Sequence, residues 1–179
     1  FSRYNVYTGL IGENMTTFTN EQLSILQNDI ITNTDAEFVI YRNNGQNNKM
    51  AEWYNINAFP DYICWRNKVT QNEIMQNGFD WVRVDNLSVG RARIWEWLFT
   101  NETKSINPSK PNVRAGIAEC WKGTAPDLAV QAAVLAHCNR LATRVEKLFA
   151  TGAGTTGSPS DLAIFGPINE LDIANALST

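Results

Sequence analysis

The chain contains 179 residues, of which 44% are hydrophobic, and its formal net charge at pH 7 is -3. This length and apolar content predict one compact domain with its own core and exclude a disordered or fibrous chain. No apolar stretch approaches the roughly 20 residues that a membrane-spanning helix needs, and the first residues lack the order of a secretory signal, so we expect a soluble protein without a membrane partner.

The amino-terminal part begins with an irregular stretch that is followed by a clear helix signal. Residues 1–14 mix aromatic and polar side chains without periodicity and are interpreted as an N-terminal extension. Residues 19–22 match a capping box, and Leu23, Leu26 and Ile30 follow at helical spacing. This pattern predicts the first helix.

Four short helices are predicted next. Residues 35–41 and 49–56 read as two of them, because an asparagine-rich turn at 43–48 separates them. A proline suits the first turn of a helix, so the proline at the start of 60–68 predicts a third. A brief fourth helix begins at 70–73 and is ended by an Asn-Gly pair.

Two longer helices are predicted for the centre of the chain. The first covers 87–100 and is rich in aromatic residues. Its core face is expected to consist of Ile94, Trp97 and Leu98, widened by Trp95 and Phe99. The second begins at Pro111 and is ended by Gly123. Its core-facing side chains are expected to be Val113, Ile117, Cys120 and Trp121.

Arginine and tryptophan alternate within residues 91–97. Both residue types are frequent at protein interfaces and in nucleic-acid contacts. A packed core with arginine stems that extend outward to water explains the same pattern and is the preferred interpretation. Use of this segment as an interface remains the alternative.

The longest predicted helix covers 124–150. An apolar stripe at alternating three- and four-residue steps, which only Gln131 interrupts, predicts it. The stripe consists of Leu128, Leu135, Cys138, Ala142, Val145 and Phe149. Thr124 and Asp127 supply a start that resembles a capping box. Such a stripe requires a partner surface along its whole length.

A soft segment follows this helix at 151–159. Gly152 suits a left-handed C-cap, and the Gly/Thr/Ser run has too little side-chain bulk to stabilise a structure, so we predict an extended arm. Residues 161–165 are expected to form a short strand. Asn169 is expected to cap a last helix, whose inward side chains would be Leu171, Ala174 and Leu177.

Together these elements predict an all-α fold, a helical bundle with a long C-terminal-half helix followed by a Gly/Thr/Ser-rich extended arm and a short strand and helix. The predicted domains are the extension at 1–14, a helical domain at 15–150 and a flexible arm at 151–179. The fold as predicted has a rigid body and a projecting tail.

Cysteine and histidine chemistry is not expected to carry the function. Cys64, Cys120 and Cys138 are odd in number and widely separated, which predicts reduced, packed thiols rather than a disulfide framework. His137 and its neighbour Cys138 point about 100° apart on a helix, so they cannot easily hold one ion. We therefore predict no metal, no cofactor and no catalytic residue.

The carboxylates and glycines of the chain do not form a recognisable catalytic or phosphate-binding motif. Glu96, Glu102 and Glu119 lie on or near helices, and solvated side chains explain them better than a catalytic pair. The glycines of 152–157 lack the following lysine and the preceding strand of a phosphate loop. An enzyme that acts on the cell wall is thus the weakest functional hypothesis.

Charge is distributed unevenly along the chain. Residues 1–82 hold five basic and nine acidic side chains, residues 83–147 hold ten and six, and the remainder holds three acidic ones only. Such segregation could provide complementary charge between copies that touch by different faces. Solvated faces without a partner remain the alternative.

Four segments carry a family resemblance, namely LATRVEKLFATGAGTTGSP at 141–159, NGFDW with VDNL at 77–87, RARIWEWL at 91–98 and INPSKPNVRAGI at 106–117. They resemble a family of small, mostly uncharacterised virion proteins of tailed bacteriophages. The start at Met15 also looks like the ordinary start of that family. The resemblance covers roughly residues 15 to 170 and implies a non-enzymatic morphogenesis protein, with head-to-tail adaptor as the preferred role.

The partners that this role implies are other virion components. They are copies of the chain in a ring, twelvefold for an adaptor, together with the portal protein and the next tail protein, a nozzle or tail tube. Non-specific contact with packaged DNA is a further expectation. The protein would be made in the bacterial cytoplasm and located at the neck or tail of the virion.

Two sets of residues are candidates for these contacts. Apolar anchors on the arm, offered to a neighbour by strand addition, would be Leu162, Ile164 and Phe165. Basic side chains that face an interface or DNA would be Arg91, Arg93, Lys110, Arg114, Arg140 and Arg144.

Two further roles remain open. A capsid decoration protein or a tail-tube component is the nearest alternative to an adaptor. A helical DNA-binding packaging protein, such as a small terminase subunit, is less favoured, because the chain is slightly acidic and has no clear helix-turn-helix spacing.

Overall fold

In a computed structural model of the chain, the structure describes residues 17–76 and 79–179, without the side chain of Trp81. About 54% of the described residues are helical, and three pairs of short antiparallel strands accompany the helices. The prediction of an all-α bundle is therefore wrong, and the fold is mixed. The predicted extension at 1–14 lies outside the described residues.

Ten helices and six strands follow one another among the described residues. In chain order they are α1 Asn20–Thr32, α2 Ala36–Asn43, α3 Asn47–Asn55, β1 Ile63–Trp65, β2 Val69–Thr70, α4 Gln71–Gln76, α5 Trp81–Asp85, α6 Val89–Leu98, β3 Ser105–Ile106, α7 Pro111–Cys120, α8 Ala125–His137, β4 Asn139–Leu141, α9 Arg144–Leu148, β5 Ala150–Thr151, β6 Asp161–Leu162 and α10 Glu170–Leu177.

The elements divide into two compact units. Unit 1 contains residues 17–55 and 166–179, and unit 2 contains residues 56–165. The predicted boundary between a helical domain and an arm, at 150 and 151, falls inside unit 2. Across the described chain, no helix combines the length and the apolarity that crossing a bilayer requires.

Unit 1 is a four-helix assembly in which α10 packs against α1 and α3, and α2 packs against α3. Thr19 caps α1 through a full capping box, as predicted. Tyr54 is buried and donates a hydrogen bond of 2.5 Å to Asp29. The remaining large buried side chains of this core are Leu26, Ile30, Phe38, Met50 and Ile173.

The last helix is predicted correctly in position but not in orientation. Asn169 caps α10 by accepting from the amides of Leu171 and Asp172. The buried side chains are Ile173 and Ala176, whereas Leu171 is 58% exposed. The cap depends on local geometry alone, but the buried face depends on which neighbour the helix meets.

Unit 2 has a helical part in which α7 lies between α6 and α8. Its core is aromatic and includes Phe79, Trp95, Phe99 and Trp121. The helix that Pro111 begins is confirmed, because Pro111 occupies the first turn of α7. The brief helix after Thr70 is also confirmed, as α4.

The predicted helix over 124–150 is wrong, because α8 ends at His137. Strand β4 follows and pairs antiparallel with β1, and a new capping box between Thr143 and Glu146 begins α9. Arg140 pairs with Glu146 through two contacts of 2.6 and 2.7 Å, which stabilises the connection. The stripe positions Ala142 and Val145 are nevertheless buried, so the periodicity predicted burial and not helicity.

The predicted helix over 60–68 is also wrong, because this segment forms the central strand β1. One edge of β1 pairs with β4, and the other edge exchanges hydrogen bonds with Ser160. Ser160 donates its amide to Ile63 and accepts from the amide of Trp65. Tertiary pairing on both edges overrides the local helix signal of Pro60.

The segment expected to be a free arm is packed into unit 2. The amide of Ile63 donates to the carbonyl oxygen of Gly154 at 2.8 Å, and the Tyr62 hydroxyl donates to that of Gly152 at 2.9 Å. Strands β5 and β6 pair with each other at Thr151 and Asp161. The prediction of an extended arm is therefore wrong, because backbone hydrogen bonds hold a chain that has little side-chain bulk.

Candidate interaction surface

An aromatic cluster beneath α6 determines which face of that helix is exposed. Trp95 is 5% exposed, and its ring stacks on Phe79 at 5.8 Å with an interplanar angle of 14°. Edge contacts join Trp95 to Phe99 at 5.0 Å and to Trp121 at 5.4 Å. Such aromatic pairs add to the stabilisation that burial provides, so Trp95 anchors the inner face of α6.

The opposite face of α6 carries large side chains that the fold leaves exposed. Val89, Arg93 and Trp97 are four residues apart and lie on one stripe. Trp97 is 67% exposed and Val89 is 78% exposed. We call these three residues the Trp97 face.

Trp97 was expected in the core, and that expectation is wrong. Residues two apart on a helix point about 200° apart, so Trp95 and Trp97 cannot both face the same core. The aromatic partners Phe79, Phe99 and Trp121 select Trp95. The sequence contains no signal that distinguishes the two tryptophans.

A groove of about 220 Å³ lies between α8 and the segment that precedes α5. We call it the Phe79 groove, and its lining residues are Phe79, Asp80, Pro126, Ala129, Val130 and Ala133. Pro126, Ala129, Val130 and Ala133 form the α8 wall, which is apolar. Among the described residues that line the groove, Asp80 carries the carboxylate.

Polar contacts hold α5 against the first turn of α8 and thereby shape the groove. Asp80 caps α5 by accepting from the amide of Val82 at 3.1 Å. Arg83 on α5 donates to the buried Asp127 on α8, and Thr124 donates to Asp127 at 2.8 Å. The hydrogen bond from Arg83, followed by that from Thr124, lowers the pKa of Asp127 below its ordinary value.

The Trp97 face and the Phe79 groove project in different directions. Phe79 lies against Trp95, on the inner side of α6. Trp97 points to the other side of the helix axis, about 200° around from Trp95. Because of this arrangement, the tryptophan of one molecule cannot occupy the groove of the same molecule.

Two of the six predicted basic residues are already engaged in close ion pairs. Arg114 contacts Asp161 at 3.1 Å and lies 4.7 Å from the centre of the Trp65 ring. Arg140 pairs with Glu146, which is 1% exposed. Their charges are therefore partly neutralised within the molecule, which weakens a continuous phosphate-binding row.

The other four basic residues differ in their surroundings. Arg91 is partly buried and lies 3.9 Å from Asp127. Arg144 is partly buried, and its amide donates to the carbonyl oxygen of Ile56. Arg93 and Lys110 are exposed, and within the described residues neither side chain forms an ion pair.

The predicted apolar anchors of the arm lie mainly inside unit 2. Ile164 is 5% exposed, and Leu162 and Phe165 are partly buried. The backbone of Leu162 is already paired with Ala150 in the β5–β6 ladder. In this conformation, strand addition at Leu162 has to compete with an existing strand pair.

The three thiols are buried, as expected of packed cysteines. Burial raises the pKa of Cys64 and of Cys120 to about 11, and that of Cys138 to about 12. They are therefore protonated at neutral pH and are poor nucleophiles. His137 is partly buried, and its carbonyl oxygen accepts a hydrogen bond from Arg66 at 3.2 Å.

A second, larger depression of about 500 Å³ is lined mostly by polar residues. Its lining residues are Thr70, Gln71, Asn72, Met75, Glu102, Thr103 and Lys104. Its charged groups are Glu102 and Lys104, and none of the three thiols lines it. Within the residues that the structure describes, no cluster of three potential metal ligands occurs.

Sequence reasoning did not single out the residues of the Phe79 groove. One available signal was the composition of α8, which carries alanine on sides other than its apolar stripe, at Ala129, Ala133 and Ala136. A helix that is apolar on most of its surface predicts a partner on more than one side. Comparisons with protein-family models, with curated proteins and with solved structures found no match to this chain.

Proposed function

We propose that this chain is a non-enzymatic structural protein of a bacteriophage virion, a head-to-tail adaptor whose copies form a ring between the portal and the tail. The ring would continue the DNA channel. The resemblance of four segments to small virion proteins is the basis for the virion setting. The surface properties of unit 2 are the basis for self-association.

The observation that carries the proposal is the Trp97 face. Tryptophan and arginine are the residue types that most often dominate binding energy at protein interfaces. Here Trp97 is 67% exposed, and Arg93 is exposed without an ion pair among the described residues. An exposed surface of this composition indicates that another protein covers it in an assembly.

The charges of the two units support contact between copies. The described residues of unit 1 hold two basic and seven acidic side chains, whereas unit 2 holds twelve basic and ten acidic ones. A contact between unit 1 of one copy and unit 2 of a neighbouring copy would bring opposite net charges together. Such complementarity accelerates association and fixes its register.

Electron cryomicroscopy of the intact virion, reconstructed around the tail axis without imposed icosahedral symmetry, tests the proposal. We expect a ring of this chain between portal and tail. Density spread over the shell would instead identify a decoration protein. Absence of the chain from the particle would contradict a structural role and favour a packaging role.

A further inference from the structure

We infer that Trp97 of one copy inserts into the Phe79 groove of a second copy. Successive copies would then associate through two different surfaces of unit 2. The inference rests on the self-association in the proposed function and names its contact. The occupant of the groove is thus a second copy of this chain. The contact is assigned from the size of the groove, its charge and the direction in which each surface points.

The first argument is the match in size and polarity. The groove has a volume of about 220 Å³ and is lined mainly by apolar side chains, including Pro126, Ala129 and Ala133. A single large aromatic side chain is the kind of group that fills such a space. Trp97 is the most exposed tryptophan whose side chain the structure describes.

The second argument is charge complementarity. Arg93 lies one helical turn before Trp97, and Asp80 lies on the groove. One carboxylate oxygen of Asp80 accepts from the amide of Val82, and the other has no described hydrogen bond. With Trp97 inserted, the Arg93 guanidinium is placed to donate to that second oxygen.

The third argument is direction. Because Trp97 and the groove project to different sides of α6, each copy offers one tryptophan and one groove to different neighbours. A contact between two unlike surfaces is heterologous, and it generates a closed ring or an open filament. A symmetric dimer would require the same surface on both copies.

Sedimentation of the purified full-length chain over a range of concentrations tests the contact. We expect Trp97→Ala to weaken self-association by roughly 30-fold, which is typical of a hot-spot residue. Ala129→Trp, which fills the groove from an exposed position, should have a similar effect. Phe59→Ala removes an aromatic side chain elsewhere in unit 2 that is even more exposed than Trp97, and it should leave association unchanged.

Mixing the two defective variants gives the sharpest test. Trp97→Ala keeps a working groove, and Ala129→Trp keeps a working tryptophan. At a concentration where each variant alone is monomeric, a mixture should therefore form one-to-one dimers and nothing larger. Circular dichroism melting of each variant confirms that it is folded before mixing.

The ion pair has its own test in a double-mutant cycle. Asp80→Asn retains the oxygen that caps α5 and removes the charge, while Arg93→Glu reverses the charge on the other surface. We expect Arg93→Glu to weaken association about tenfold in the native chain and by clearly less in the Asp80→Asn background. Equal effects in both backgrounds would contradict the pairing.

The inference fails if the native chain stays monomeric at millimolar concentration, if Trp97→Ala associates normally, or if the mixture forms no dimers. The proposed function fails independently, if the chain is absent from the neck of the virion. Normal association of Trp97→Ala together with a ring in the virion would leave the adaptor role and remove only this contact.

Discussion

The segment at 151–160 and the outer face of α6 both differ from what their compositions predict, and in opposite ways. The first is rich in glycine, threonine and serine, and yet it is held against β1 by backbone hydrogen bonds. The second carries valine and tryptophan and is exposed. The difference shows that whether a segment is packed or exposed depends on the neighbouring elements in the fold. Composition alone does not decide it.

Both regions belong to unit 2, and one physical rule explains them. A strand with a free edge requires hydrogen-bond partners, and a glycine-rich chain can approach it closely because it has no side chains in the way. A helix, in contrast, satisfies its own backbone, so its outer face can remain unpaired until a second protein covers it. The segment at 151–160 is therefore hydrogen-bonded to β1, whereas the outer face of α6 stays exposed.

The two tryptophans of α6 give the test with the largest expected effect. Trp95→Ala should reduce the free energy of unfolding by about 3–5 kcal/mol, because it removes a buried ring that contacts three other aromatics. Trp97→Ala should change it by no more than about 0.5 kcal/mol. Urea denaturation of both variants measures the difference.

Comparable losses of stability in the two variants would show that Trp97 is also part of the core. The contrast between the docked segment at 151–160 and the exposed outer face of α6 would then no longer hold. Low stability of Trp95→Ala with native stability of Trp97→Ala would support it.

The docked segment is tested by a pair of glycines. Gly154 has φ of +65°, and a Cβ atom added there would lie 2.2 Å from the Tyr62 ring. Gly154→Ala should therefore cost about 3 kcal/mol through strain and overpacking. Gly157 has open space around it, so Gly157→Ala is the matched control and should be close to neutral. Thermal unfolding measures both.

If Gly154→Ala melts like the native chain, the segment is not docked on β1 as described. The free arm of the initial prediction would then describe the segment better. A loss confined to Gly154→Ala would show that the absence of a side chain at this position is what permits the close approach.

The smallest effect concerns Glu73, a partly exposed residue whose polar partners all lie within unit 2. The amide of Thr70 donates to Glu73 at 2.7 Å, Arg66 donates at 2.6 Å, and these bonds lower its pKa to about 2. Its contribution to stability is complete above the usual pKa of 4.5 and is lost as the pH falls toward 2.

We expect Glu73→Gln to lower stability at pH 6 by less than about 1 kcal/mol, because solvent screens a partly exposed pair. At about pH 2 the variant and the native chain should converge. Denaturation curves at the two pH values provide the measurement. A constant difference at both pH values would contradict the assigned ionisation.

Local signals were the ones that sequence reasoning used successfully. The capping boxes at Thr19 and Asn169 and the proline that begins α7 each act within one helical turn, so they are legible without the rest of the fold. The capping box at Thr143 was equally legible. It was overlooked because the stripe through Ala142 and Val145 favoured a continuous helix.

The candidate surface was much harder to predict than the helices. Arg93 was among the predicted contact residues, but Trp97 was assigned to the core, and no residue of the Phe79 groove was singled out. The choice between Trp95 and Trp97 depends on Phe79 and Trp121, which come from other parts of the chain. A periodic pattern does not contain that information.

The sequence by itself determined where most helices begin, that the second half of the 124–150 stripe, from Cys138 to Phe149, is buried, and how charge is segregated along the chain. These properties depend on neighbours within a few residues or on composition alone. The sequence did not determine that Leu128, at the start of the same stripe, is 48% exposed. Only the tertiary structure decided that 60–68 becomes a strand, that 151–160 docks on it, and that Trp97 points outward. Each of those outcomes depends on a partner distant in sequence, whose hydrogen bonds or buried area outweigh the local preference.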